Sequence, residues 1–267
     1  MIYEVKTKED APGALFVGVS LPGFPEIMAN GGTEMLSSLY GPYVNADKGS
    51  NDLSLKLTWA SLPAVPAERE KIATLVANIK VNLLAAPMMK AIQGLEATPP
   101  KLGSPIQIPY RTDGYMWVLT APDVLTVGFS VSFKDPQDQP LARIFLNEFV
   151  ASQHDTKLAG APRANVFFTR PGELAGLDYR AEGIMAYVFF AFNKQRHLAG
   201  ATREKTLSMV QTFRNYFQYH LKCAKAYMHN RMRSVYQSSV ESLNRARPET
   251  VMKAGTRGVS GKLLKKK

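Results

Sequence analysis

Residues Asp52 to Trp59 read DLSLKLTW, with Leu53, Leu55, Leu57 and Trp59 at every second position. Side chains of a strand alternate between two faces, so this spacing predicts a half-buried strand with those four residues on one side. Upstream, ALFVGVSL (Ala14 to Leu21) reads as a short buried strand stopped by Pro22-Gly23. Phe24 to Leu39 reads as a helix weakened in its middle by Gly31-Gly32. Downstream of LPAVPAE, a helix is predicted from about Ala67 to Leu95, and Pro87 inside it should kink or split it.

The run ATPPKLGSPIQIP (Ala97 to Pro109) holds four prolines and one glycine and is the best candidate for a domain boundary. Beyond it, YMWVLT (Tyr115 to Thr120) and LTVGFSVSF (Leu125 to Phe133) read as strands joined by a turn at Pro122-Asp123. A helix from about Leu141 to Ser152 follows, then strands NVFFTR (Asn165 to Arg170) and IMAYVFFAF (Ile184 to Phe192). FVGVSL–helix–LSLKLTW echoes TVGFSVSF–helix–NVFFTR. The echo fits either a duplicated unit or the general likeness of any two strand–helix–strand segments.

A chain of 267 residues, 45% hydrophobic, holds one large domain or two ordinary ones and can bury a core. No apolar run approaches the length of a membrane span, and the first residues lack the apolar core of a secretory signal. The single cysteine, Cys223, has no intrachain disulfide partner, which makes a reducing cytoplasmic or nuclear compartment the expectation. The net charge of +11 is unevenly placed. Residues 1–200 carry 18 Lys/Arg against 19 Asp/Glu, whereas residues 201–267 carry 15 against 3. That asymmetry points to an acidic partner: nucleic acid, anionic membrane or an acidic protein surface.

The basic quarter contains TFRNYFQYHLKCAKAYMHNRMR (Thr212 to Arg233), without glycine, proline or any acidic residue. A helix is predicted from near Ala201-Thr202 to about Asn244, ended by Pro248. On a helical wheel Val210, Phe213, Phe217, Leu221, Ala224, Met228 and Val235 gather in one arc. Arg214, Lys222, Lys225, His229 and Arg233 are read as lying roughly opposite. One side asks for an apolar neighbour and the other for a negative surface.

Catalytic signatures are missing: there is no H-E-x-x-H, no G-x-S-x-G and no strand-linked G-x-G-x-x-G. GVSGK (Gly258 to Lys262) lacks both the upstream glycine and the hydroxyl of a phosphate-binding loop. His220, Cys223 and His229 share a helix, but no fourth ligand is evident, and packing explains them better than zinc. No cofactor and no enzymatic activity are expected.

The Thr212–Arg233 stretch, followed by LNRARP (Leu243 to Pro248), closely resembles the long C-terminal helix of the actin-related protein 2/3 complex subunit 2 family. YGPYVNADKGSNDLSL (Tyr40 to Leu55), YRTDGYMWV (Tyr110 to Val118) and VGFSVSFKDPQD (Val127 to Asp138) follow in the family's order and spacing. So do ARIFLNEF (Ala142 to Phe149) and APRANVFFTRPGEL (Ala161 to Leu174), so that the resemblance covers about Leu15 to Lys262.

The resemblance implies an α+β fold of the α/β sandwich kind, with two related, mostly antiparallel sheet-plus-helix domains and a long C-terminal helix. The corresponding boundaries are 1–103, 104–200, 201–247 for the helix and 248–267 for a basic tail. It implies a non-catalytic scaffold in a hetero-oligomer, paired with subunit 4, positioning the two actin-related proteins and contacting the side of an actin filament from which a branch grows. Arg214, Lys222, Lys225, Arg231 and Arg233 are then assigned to the filament, and Val210, Phe213, Phe217, Leu221, Ala224 and Met228 to packing or the partner subunit. Members usually carry several tens of residues before the strand matching Ala14–Leu21, so the first sheet is expected to lack an element or expose an edge.

Two other readings compete. A nucleic-acid-binding protein would use the same basic helix, but nucleic acid offers nothing to a long apolar arc. A basic amphipathic helix on anionic membrane is permitted by the separation of faces, yet the helix has no tryptophan and places histidines and tyrosines in its apolar zone. Neither nucleic acid nor membrane insertion is therefore expected.

Overall fold

A computed structural model describes residues 2–8, 11–133, 135–136, 138–155 and 160–246. The chain forms two compact units, the first ending at Gln218 and the second beginning at Tyr219. The first unit holds two antiparallel sheets with helices, an α+β fold.

The first sheet has the order β1 (Ile2–Thr7), β2 (Ala14–Ser20), β3 (Leu53–Thr58). Leu53 and Leu55 are buried, Leu57 is half-buried and Lys56 is exposed, but Ser54 on the opposite face is buried too. Trp59 departs from the alternation: the strand ends at Thr58, and Trp59 opens a single 3₁₀ turn with its indole 59% exposed. β1 pairs with β2 from Ile2↔Ser20 to Thr7↔Leu15, so β1 is the sheet's edge on that side.

Between β2 and β3 the predicted single helix is two, α1 (Phe24–Ile27) and α2 (Thr33–Tyr40), joined by a π-helical turn at Met28–Gly32. Gly31 sits there at φ +99°, a conformation that a side chain would strain. The predicted 67–95 helix is also two, α3 (Pro66–Ala77) and α4 (Ile79–Glu96), bent by 64°. The break lies at Asn78 rather than at Pro87. Among α3 residues only Val76 is buried, whereas α4 buries Ile79, Leu83, Met88, Ile92 and Leu95. A straight rod cannot serve both situations, and the bend at Asn78 resolves the conflict. Pro87 stays inside α4, itself buried, where packing outweighs the one backbone bond it forgoes.

The second sheet has the order β4 (Ile106–Arg111), β5 (Gly114–Ala121), β6 (Val124–Ser132), β8 (Ile184–Asn193), β7 (Arg163–Phe167). Its strands are antiparallel throughout. Strand β4 runs through the predicted linker. The sequence echo is real in topology but shifted: β1–β2 hairpin, helix, β3 beside β2 is matched by β5–β6 hairpin, α5 (Asp138–Ala151), β8 beside β6. The counterpart of LSLKLTW is therefore IMAYVFFAF, and NVFFTR belongs to the added edge strand β7.

Both faces of this sheet are covered. One carries Leu125, Val127, Phe129 and Val131 of β6 beside Val188, Phe190 and Phe192 of β8, all buried. The other carries a cluster of Trp117, Leu174, Tyr187 and Phe189, joined by Tyr115 and Tyr179. Gly128 makes room there, since a Cβ on it would lie 2.5 Å from the Phe189 ring. Arg170 holds the covering loop by donating to the carbonyls of Leu174 and Leu177, and stacks on Tyr179 at 4.7 Å. At the β7 edge, Gln153 accepts from the Ala164 N–H (2.8 Å) and donates to its carbonyl (2.6 Å).

Candidate functional site on the long helix

Asn193 ends β8 and caps the short helix α6 (Lys194–His197), its side chain accepting from the N–H groups of Gln195 and Arg196. Gly200, at φ +54°, turns the chain into α7 (Gly200–Ala246), 47 residues long. Its start is tied down by Arg203, which donates to the Leu198 carbonyl (2.9 Å) and pairs with Glu96 of α4. Thr206 is buried and donates to the carbonyl of His197 (2.9 Å).

The helix then crosses the first face of the second sheet. Val210 and Phe217 are buried and Phe213 is half-buried. The Phe213 ring meets Phe190 edge-on at 4.6 Å and Phe149 at 5.7 Å; Phe217 meets Phe145 at 5.3 Å and Phe133 at 6.2 Å. These three residues of the predicted packing group therefore lie against the chain's own sheet and helix α5. Of the other three, Leu221 is buried, Ala224 is half-buried and Met228 is 48% exposed.

Past Met228 the apolar stripe continues in the open. Met232, Val235, Tyr236 and Leu243 are each more than 60% exposed, and their three- and four-residue spacing keeps them on one side of the helix. Sequence reading named Val235 but missed Met232, Tyr236 and Leu243. The signal was there, because the spacing simply runs on beyond the basic stretch.

The cations border this stripe rather than oppose it. At about 100° per residue, Lys225 and Arg231 lie about 60° to either side of Met228, and Lys222 and Arg233 about 120° to 140° away. Lys225 is half-buried; Lys222, Arg231 and Arg233 are exposed. Arg231 shares a shallow groove with Met228, Met232, Val235 and Tyr236. The Arg214 side chain and residues 248–267 of the predicted tail lie outside the described residues. Arrangement of this kind suits a protein surface that is apolar along its middle and acidic at its margins.

Cys223 and His229 are exposed. Among the described residues no group of three or more His, Cys, Asp or Glu is placed to hold a metal ion. Among them, too, no single helix is long and apolar enough to cross a membrane.

Comparison with known proteins gives one direction. The family model described as "Arp2/3 complex, 34 kD subunit p34-Arc" matches residues 17–250. The actin-related protein 2/3 complex subunit 2 of Dictyostelium discoideum is 33% identical over 272 residues, covering 98% of this chain and 87% of the relative. Its namesake in Schizosaccharomyces pombe is 28% identical, covering 95% and 85%.

Proposed function

The chain belongs to the p34-Arc family of Arp2/3 complex 34 kD subunits, and on that premise we propose that it is a non-catalytic scaffold of this complex that helps hold it on the side of an actin filament. The observation that carries the reading is the open stripe Met228–Met232–Val235–Tyr236–Leu243, bordered by Lys222, Arg231 and Arg233. An exposed apolar row of this length is a liability for a free chain and an asset for a subunit. Subunit 4, the expected partner, covers the row, and the two actin-related proteins assemble on the resulting core. The two sheets, meeting near residue 103, form the globular domains of the scaffold. Such a protein works in the cytoplasm, on the actin cytoskeleton.

The bordering cations face the acidic filament. Exposed charge pairs contribute little each, so their effect is steering and salt-sensitive holding rather than a rigid lock. Co-sedimentation of the assembled complex with actin filaments, from about 50 to 200 mM salt, tests this with Lys222→Glu, Lys225→Glu and Arg233→Glu combined. We expect wild type to pellet and the variant to stay in solution while still co-purifying with its partner subunits. Unchanged pelleting would refute the filament role of these residues. If duplex DNA at equal charge concentration strips wild type from actin, the attraction is generically polyanionic and the nucleic-acid reading gains.

A further inference from the structure

We propose that the cavity between β7, the end of β8 and helix α6 is a binding site for a small phosphate ester. It encloses about 640 Å³, within the range of small-molecule sites. Among the described residues its lining holds the guanidinium-bearing residues Arg163 and Arg196 and no acidic residue. Neither guanidinium has an ion pair or a hydrogen-bond acceptor among the described residues. Arg170 and Arg203, by contrast, are both engaged with carbonyls or a carboxylate.

The frame around these two cations is fixed. Arg163 lies opposite Ala191 in the β7–β8 register, and Asn193, two residues on, lies opposite Val124. Ala191 and Asn193 thus share the face on which Arg163 stands. Arg196 is placed by the Asn193 cap of α6, whose side chain accepts from the Arg196 N–H at 3.2 Å. His197 behind it is buried and fully used: Nδ1 accepts from the Asn193 N–H (2.9 Å), leaving Nε2 to donate to the Gly160 carbonyl (3.2 Å). Gln153 is likewise spent on both backbone groups of Ala164. The rigid walls therefore compete little for the ligand, while the two guanidiniums remain available. Guanidinium forks match phosphate oxygens in geometry and charge. Val124, Ala161, Pro162 and Ala191 supply an apolar wall for the body of the ester.

The test uses the assembled complex carrying this chain, with pyrophosphate and guanosine monophosphate as probes in separate calorimetric titrations. The comparison is among wild type, the double variant Arg163→Gln/Arg196→Gln, and a control that removes equal charge elsewhere, at exposed Lys71→Gln/Lys101→Gln. Sites on other subunits are common to all three and cancel in the comparison. We expect a binding event in wild type and in the control that weakens at least about tenfold in the double variant. Preference for guanosine monophosphate assigns the apolar wall to a ligand body; preference for pyrophosphate makes the site one for bare phosphates. Equal weakening in the control would reduce the effect to overall charge and overturn the proposal, as would titrations that do not distinguish wild type from the double variant.

Discussion

Replacing Phe217 by alanine separates a residue that builds the chain's own core from one that recruits a partner. Phe217 is 2% exposed and its ring lies 5.3 to 6.2 Å from those of Phe145, Phe213 and Phe133. Removing a buried phenyl ring costs about 3–5 kcal/mol, the transfer term plus the cavity left behind. At about 1.4 kcal/mol per decade, the population of opened molecules rises roughly a hundred- to several-thousandfold. Hydrogen exchange read by mass spectrometry resolves this chain's peptides even inside the complex. Amides of Val124–Ser132 and Ile184–Asn193 that exchange through opening of this core should lose protection by that factor. The reasoning is refuted if those strands keep their protection while peptides within Tyr219–Ala246 lose theirs. Phe217 would then act in assembly, not in the sheet.

Other outcomes follow from the same packing. Gly128→Ala should cost about 1–3 kcal/mol by overpacking, because its Cβ would fall 2.5 Å from the Phe189 ring. Gly172→Ala, with nothing within 4 Å, should be near neutral, and urea titration of the two variants beside wild type checks both. Burial is the chief cause that pushes the hydroxyls of Tyr40, Tyr110 and Tyr179 above their ordinary value of 10.0. A raised folded-state value means stability is whole below pH 10.0 and is lost as pH rises through the folded values. Denaturation midpoints should therefore hold up to about pH 10 and fall as pH rises beyond it. Tyr40→Phe should flatten part of that fall while losing about 1 kcal/mol at neutral pH. The neutral-pH loss comes from its bonds to the Leu75 carbonyl and Asn82. A flat alkaline profile in wild type would contradict this account.

Legibility in the sequence tracked burial on one face. β3, β5, β6 and β8 announce themselves by apolar alternation or apolar runs. β1 (IYEVKT) and β4 (IQIPYR) did not, because edge strands tolerate charge and proline that a central strand excludes. The position of the helix break was hidden for a related reason. Proline is a visible breaker, but tertiary packing kept Pro87 helical and placed the bend at Asn78, where exposed α3 gives way to buried α4. On α7 the stripe itself was plain from spacing. Which neighbour covers Phe213 depends on the second sheet and α5, and a wheel drawn on one helix carries no such information.

Each rim of the five-stranded sheet is interrupted. At β7 the outward N–H and carbonyl of Ala164 are already taken by Gln153, and at β4 Pro109 offers no N–H while the pairing slips between Ile108 and Arg111. A chain that must wait after synthesis for its fellow subunits spends that time beside many identical copies. Unprotected rims would let those copies stitch together strand by strand into inert fibres. Interruptions at both rims of this sheet shorten the stretch open to such pairing, and side-chain contacts that remain are ones a correct partner can outcompete.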